Sequence, residues 1–445
     1  MGMASSTLSD VAAAPAPMRL LKSLSLSAFS MGVRLTASLL SISVLARVLG
    51  AAGFGALMIF LSAAGVLCIV SSLGINTHVL REVGRAPRAA AQVVAEALTA
   101  KLILTLATLG LALVLAVVSQ RFVDPVFALL LLALVAEGFV EFFNVGLRAT
   151  GRFAIEAKQS VVAALVYSGF VIVAALTGGG LLWVAGAYLA SRVLVALVAF
   201  ATLRRVLGAM GAAPMGAGLC RLRGMLSYSV DAALSALFGQ VDGLVLGAYL
   251  PAAAVGIYQG GLRIFMAATT ATGILTNVLL PKVSGEMAAQ GQAASAGSDQ
   301  VILIFSAFGI VVGWLFALLL PPLVVMLYGP AFESLRTLMP WFGLLFAARL
   351  VAGAWGLLLT AKGQQRYRTI CSATHWLFIA LLTPFTVPAW GALGWIVAML
   401  VGTVFLCILY GVRAWGLVKS RALAVAASAS PLTLLAYVLI SSRAA

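Results

Sequence analysis

Ten ionisable side chains lie inside long apolar stretches of the sequence: Arg34, Arg47, Lys101, Arg192, Arg263 and Arg349, with Glu137, Glu141, Asp231 and Asp242. A charge facing hydrocarbon near mid-bilayer costs roughly 2.5–3.5 kcal/mol on the insertion scale. That penalty is too large to repeat ten times, so these residues are expected to face an internal, hydrated cavity. Their spacing agrees with this. Arg34, Ser38 and Ser41 share one helical face, as do Lys101, Thr105 and Thr108, then Glu137, Glu141 and Asn144, then Arg263, Thr270 and Asn277. Asp231 and Asp242 are three helical turns apart and point the same way. Arg47 stands at the end of a stretch, where its long stem can reach the interface.

Six cations against four anions leave a positive excess. A structural ion pair between helices accounts for any one of these charges, but pairing has no use for an excess. A cationic cavity suits an anionic substrate group, and the planar fork of arginine matches phosphate oxygens. The candidate substrate-binding residues are therefore Arg34, Lys101, Arg192, Arg263 and Arg349. Glu137 and Glu141 sit one turn apart; with Asp231 and Asp242 they are candidates for holding a coupling ion or for forming ion pairs, Arg34 and Lys101 being the partners considered for the glutamates.

Catalytic and metal constellations are missing from the sequence. His78 and His375 stand apart from cysteine and carboxylate partners, and Cys68, Cys220, Cys371 and Cys407 have no short spacing that builds a zinc clamp or redox pair. No Gly-x-x-x-x-Gly-Lys-Ser/Thr loop occurs, and no connection is long enough for a folded catalytic domain. The chain is expected to be neither an enzyme nor a cofactor protein.

The elements that must position these charges follow from composition. Of 445 residues 63% are hydrophobic and 9% charged, against roughly 25% charged in soluble domains; such a chain belongs in a bilayer. Segments of about 20 apolar residues, the length that crosses roughly 30 Å of hydrocarbon, fall at 27–49, 54–75, 97–118, 125–146, 160–177, 181–203, 225–248, 257–280, 300–325, 338–360, 369–388 and 392–412. The net charge of +16 would suggest nucleic acid in a soluble protein. Here it sorts by side: with the N-terminus inside, nineteen Lys and Arg fall in cytoplasmic segments and three outside, which fits the positive-inside bias and leaves no case for a nucleic-acid partner.

The expected fold is an all-α polytopic membrane protein with about twelve transmembrane helices in two six-helix bundles. Residues 1–26 form a cytoplasmic N-terminal tail, 27–203 the first bundle, 204–224 a cytoplasmic linker, 225–412 the second bundle and 413–445 a C-terminal tail, in which 422–441 is an extra hydrophobic helix or, because Pro431 interrupts it, none. Two echoes support the duplication. The turn Leu49-Gly50-Ala51-Ala52-Gly53-Phe54-Gly55 resembles Leu250-Pro251-Ala252-Ala253-Ala254-Val255-Gly256-Ile257-Tyr258, and Leu147-Arg148-Ala149-Thr150-Gly151-Arg152-Phe153 resembles Leu359-Thr360-Ala361-Lys362-Gly363, at offsets of 201 and 212 residues. Each links span n to span n+6, so the substrate path is expected at the interface of the halves.

The pattern resembles the Wzx-type polysaccharide (lipid-linked oligosaccharide) flippases of the multidrug/oligosaccharidyl-lipid/polysaccharide exporter, or MOP, superfamily. The resemblance covers residues 25–415. It rests on Ala46-Arg47-Val48-Leu49-Gly50 with Phe54-Gly55, Gly74 through Arg81-Glu82, Asp242 with Leu246-Gly247, Val255-Gly256-Ile257-Tyr258, Leu280-Pro281, Leu327-Tyr328-Gly329 with Phe332, and Ala361-Lys362-Gly363. It implies a V-shaped, pseudo-symmetric transporter in the bacterial inner membrane. Such a protein flips undecaprenyl-diphosphate-linked oligosaccharide repeat units by alternating access for surface polysaccharide biosynthesis. Its partners would be that polyprenyl-diphosphate-linked oligosaccharide, membrane lipid, and the polysaccharide polymerase and chain-length machinery. By the same resemblance Arg34, Lys101, Arg192, Arg263 and Arg349 would hold diphosphate or acidic sugars. The alternatives are a cation-coupled multidrug exporter of the same superfamily, suggested by Glu137 and Glu141, and a flippase for a peptidoglycan lipid precursor.

Overall fold

The computed structural model describes residues 16–119, 124–208, 213–214, 216, 237, 239–289 and 296–444. Among them every regular element is helical: α1 (Ala16–Ser72), α2 (Ile75–Arg85), α3 (Ala90–Ser119), α4 (Pro125–Ala149), α5 (Phe153–Leu176), α6 (Gly180–Leu207), α7 (Val241–Tyr249), α8 (Ala252–Ala289), α9 (Ala296–Trp314), α10 (Leu320–Tyr328), α11 (Leu335–Ala361), α12 (Gln365–Ala414), α13 (Arg421–Ala429) and α14 (Pro431–Ala444). In hydrocarbon each backbone N–H and C=O must be satisfied within its own segment, which leaves the helix as the economical solution for such a chain.

Ten helical runs among the described residues are long and apolar enough to cross a bilayer. The 57 residues of α1 would extend about 85 Å if straight, nearly three times the hydrocarbon thickness. Gly50 breaks α1 at φ 65°, and Gly391 breaks α12 at φ 59°, a backbone region that glycine enters without strain. In α12 the two arms run back along each other: the Tyr367 hydroxyl donates to Leu409 O at 2.9 Å, and the rings of Phe378 and Phe405 are 4.8 Å apart. The twelve expected spans therefore include two pairs fused into continuous runs. Most of the seventh, 225–248, lies outside the described residues, which include α7 at its end. The stretch 422–441 is helical and of crossing length as part of Arg421–Ser441. Pro431 opens α14, where its missing N–H removes no helical hydrogen bond.

The chain divides into two compact units, Met1–Val48 with Phe60–Val241, and Leu49–Ile59 with Asp242–Ala445. Most of the expected linker 204–224 lies outside the described residues.

In the N-terminal unit α4 packs against α6 and α2, and α5 against α6. The stretch 76–96 reads as a polar connection because of its charges, yet 75–85 is an amphipathic helix. Ile75, Val79 and Val83 recur every four residues and bury one face against Phe142, Phe143 and Leu203, while Arg81 and Arg85 remain exposed. At the start of α4 Asp124 accepts from Val126 N at 2.8 Å and Pro125 takes the first helical position, so one orphan donor is capped and another is absent.

In the C-terminal unit α11 is buried along most of its length and packs against α8, α9 and α12. Gly343 on α11 lets the backbone of Gly313 on α9 approach closely. Phe346 fills the space beside them, with its ring 5.7 Å from Phe265 and 6.1 Å from Phe316. A widened turn at Leu315–Leu319 precedes Pro321 and Pro322 and makes room where a proline ring would press on the carbonyl four residues back. Leu434 of α14 is buried against Ala317, Leu344 and Ala347. The segment Leu49–Ile59 belongs to this unit through a reciprocal approach: the Ala51 carbonyl stands where a Cβ on Gly256 would be, and the Ala252 carbonyl where one on Gly55 would be.

Candidate functional site

The interior charges of the N-terminal unit are engaged by packing. Lys101 on α3 is only 2% exposed. Its ammonium donates to Ser71 O at 3.3 Å and stands 5.0 Å from the Phe139 ring centre. Ser71 lies in the last turn of α1, whose carbonyls have no intrahelical partner and carry the negative end of the helix dipole. A side chain at position 138 would crowd this ammonium: a Cβ on Gly138 would lie 3.3 Å from Nζ. Thr105 and Thr108, on the same face, are buried too.

Arg192 on α6 pairs with Glu137 on α4 at 3.1 Å. Its guanidinium lies 4.4 Å from the Tyr167 ring centre and 5.3 Å from that of Tyr188, so one acid and two aromatic faces meet this charge. Glu141 pairs with Arg148, seven residues along the same helix. Arg34 and Lys101 were the partners expected for these glutamates; Arg192 and Arg148 take their place, because α4 packs against α6 and because two helical turns return Arg148 to the side of Glu141. Arg34, partly buried, touches the Met31 thioether at 3.5 Å.

In the C-terminal unit Asp242 on α7 is 5% exposed and accepts a hydrogen bond from the Tyr258 hydroxyl at 2.8 Å. Arg349 on α11 acts on the same carboxylate electrostatically, while Oδ1 of Asp242 and the nearby Nε1 of Trp395 on α12 each lack a partner at hydrogen-bond geometry. Arg349 lies 5.6 Å from the Phe265 ring centre. Arg263 on α8 reaches the Met58 thioether at 3.1 Å, with its Nε buried and unpartnered. Asp231 lies outside the described residues. Among the described residues Arg34, Lys101, Arg263 and Arg349 have no carboxylate within ion-pair distance.

Arg349 shares a cavity of about 250 Å³ with Arg368. Arg368 reads from the sequence as a loop charge of the cytoplasmic side, yet it lies in the first turn of α12 and turns inward. The signal that could have found it is its place three residues inside a helix that follows directly on α11.

A protein-family model described as polysaccharide biosynthesis protein matches residues 20–287, more than half of the chain. The chain belongs to this polysaccharide biosynthesis protein family. The matched part holds Lys101, Arg192, Asp242, Tyr258 and Arg263; Arg349 and Arg368 lie beyond it.

Solved structures agree on the fold. Lipid II flippase MurJ in an inward closed conformation aligns with a TM-score of 0.72 at 10% identity, covering 94% of this chain and 93% of its own. An inward-facing multidrug resistance MATE family transporter of the MOP superfamily aligns at 0.61 and 16%, covering 88% and 100%. A MOP superfamily transporter from Pyrococcus furiosus aligns at 0.54 and 15%, covering 90% and 97%. None of the curated proteins matches the chain. The polysaccharide biosynthesis protein is thus a multi-pass membrane protein with the fold of MOP transporters.

Proposed function

We propose that this protein flips undecaprenyl-diphosphate-linked oligosaccharide repeat units across the bacterial inner membrane by alternating access, with its N-terminus in the cytoplasm, for surface polysaccharide biosynthesis. The observation that carries the reading is the set of partly buried arginines without an ion-paired acid, Arg34, Arg263 and Arg349, in a chain of this family. A polyprenyl tail can stay in lipid while its diphosphate and sugars cannot enter hydrocarbon. Fixed guanidinium groups along a hydrated path replace the lost solvation of the diphosphate. Lys101 and Arg192 belong to the same proposed set, and their packing partners make their contribution the holding of α1, α4 and α6 rather than first contact with cargo.

Two six-helix halves, 27–203 and 225–412, are the proposed framework. The reciprocal approach of Ala51 to Gly256 and of Ala252 to Gly55 supports it, since both pairs are related by the 201-residue offset of the sequence echo. A polymerase and chain-length machinery that consume the flipped unit are the proposed functional partners. The drug-exporter alternative needs free acids for cationic cargo or a coupling ion, and the pairing of Glu137 and Glu141 with arginines weighs against it.

Deletion of the gene in its host should abolish a surface polysaccharide while the cells stay viable. Complementation by Arg34→Gln with Arg263→Gln should restore less than a tenth of it at normal protein level in the membrane. Lethality on depletion would favour a peptidoglycan precursor as cargo. Full restoration by the double variant would contradict the proposed role of the cations.

A further inference from the structure

The second arm of α12, after Gly391, packs against α11, while α13 packs against α9 and α14 against α11 and α9. Between that arm and the α13–α14 hairpin lies a cleft of about 720 Å³, wholly within the C-terminal unit and floored by α11. Its walls are apolar: Val404 and Ile408 on α12, Val425 on α13 and Leu432 on α14 line it and remain exposed. At the floor Trp355 Nε1 donates to Ser428 Oγ at 3.1 Å, which ties α11 to α13.

A gap of this kind in a bilayer is filled by hydrocarbon. Left empty, its walls would forfeit their dispersion contacts, and apolar walls offer water nothing to bond. Size narrows the occupant. From Trp415 to Leu400 the cleft follows fifteen residues of chain, about 22 Å, more than the ~15 Å of one leaflet's core and less than the ~30 Å of the whole. A helix about 10 Å across over that length would need ~1,700 Å³, which excludes a helix of a second copy seated between the walls. One lipid chain fits.

The two ends differ. The far end, at Leu344, Leu400 and Leu435, is apolar. At the near end the Trp415 ring stacks on that of Trp355 with centroids 6.3 Å apart, a residue type favoured at the membrane interface. Just beyond stand Lys419, in the turn, and Arg421, in the first turn of α13. Arg421, Ala424, Val425 and Ser428 recur at helical spacing, so Arg421 shares the face of α13 that lines the cleft. Both cations are exposed, and among the described residues neither has a carboxylate within ion-pair distance. The acid at this turn, Asp299, accepts from Lys419 N at 3.0 Å and from Ser420 N at 2.9 Å, one amide on each oxygen. An apolar trough with two cations at one end matches a lipid with an anionic headgroup. A cargo tail would have to leave these cations as its own headgroup crosses, so a resident lipid is the better match.

We infer that this cleft binds an anionic phospholipid, with one acyl chain between α12 and the α13–α14 hairpin and its phosphate at Lys419 and Arg421. The lipid sits in the leaflet on that side, the cytoplasmic one in the orientation proposed above, and fastens the hairpin to α12. The inference does not depend on what the protein transports.

The test places the full chain in phosphatidylcholine nanodiscs with a trace of phosphatidylglycerol that carries a photoreactive group midway along one acyl chain. Mass spectrometry of the labelled peptides should find the probe on residues 400–412 and 424–435, competed by unlabelled phosphatidylglycerol. Labelling should fall about tenfold in the Lys419→Gln, Arg421→Gln double variant, since each basic residue near the surface adds to the attraction of anionic lipid. Val425→Trp fills the cleft from an exposed wall position and leaves both cations in place; it should lose labelling as well, and it covers the case in which the double variant does not fold. Equal labelling by a phosphatidylcholine probe with the same group, unchanged labelling in either folded variant, or labelling elsewhere overturns the site. Displacement of the probe by undecaprenyl diphosphate at concentrations where phosphatidylglycerol fails to displace it would assign the cleft to a cargo tail and overturn the resident phospholipid.

Discussion

Gly256→Ala should leave the C-terminal unit poorly folded, with melting in detergent lowered by on the order of 10 °C and most of the chain lost before it reaches the membrane. Alanine ordinarily favours a helix over glycine by about 1 kcal/mol, so propensity alone predicts the opposite sign. Packing decides. The new Cβ would occupy the place of the Ala51 carbonyl and lie 2.9 Å from Gly55 N, and main-chain atoms cannot rotate aside as a side-chain tip can. The segment Leu49–Ile59 and α8 must then move apart, an overpacking cost of about 3 kcal/mol or more. Gly273→Ala, in the same helix, has nothing within 4 Å of its Cβ and should melt at or above the parent temperature. Equal melting of the two variants would show that the reciprocal contact does not hold the unit together.

Glu137→Gln should destabilise the N-terminal unit by roughly 2 kcal/mol, less than the ~3–5 kcal/mol that breaking a fully buried pair costs, because this pair is half-buried. The Arg192 side chain is 14% exposed and that of Glu137 41%, and the Tyr167 and Tyr188 rings still meet part of the stranded charge. Glu141→Gln should cost under ~0.5 kcal/mol, since its pair with Arg148 has both side chains a third or more exposed. Tryptophan-fluorescence unfolding of the two variants in one detergent reads the difference. An equal loss would mean that the α4–α6 pair contributes no more than a surface pair.

The helical class and the charged stripes were legible because they depend on local spacing: 3.6-residue periodicity and the cost of charge in hydrocarbon act on each segment by itself. Lys101, Thr105 and Thr108 are buried together, with Lys101 engaged by Ser71 O and the Phe139 ring where the spacing predicts a face on a hydrated cavity. What the spacing could not give was which helices adjoin. Arg192 and Glu137 are on different helices, and nothing in either segment says that α4 lies against α6. The Arg148–Glu141 pair is two turns apart on one helix, but Arg148 falls just beyond the apolar segment 125–146 and so reads as a charge of the cytoplasmic turn. The same reading hid Arg368, whose helix begins at Gln365, earlier than its apolar stretch. It also hid α2, where the rhythm of Ile75, Val79 and Val83 was present beneath Arg81 and Arg85. At Pro431 a proline read as a break is a helix start.

The central claim, that fixed interior cations carry a lipid-linked diphosphate headgroup across the bilayer, is tested most directly in reconstituted vesicles. Purified protein would be incorporated with a fluorescent undecaprenyl-diphosphate oligosaccharide in one leaflet, and its arrival in the other followed by a membrane-impermeant quencher. The account predicts rapid, protein-dependent transfer, slowed at least tenfold in the Arg34→Gln, Arg263→Gln double variant with unchanged melting. Transfer at the unaltered rate in that variant, or none with the unaltered protein, would contradict it.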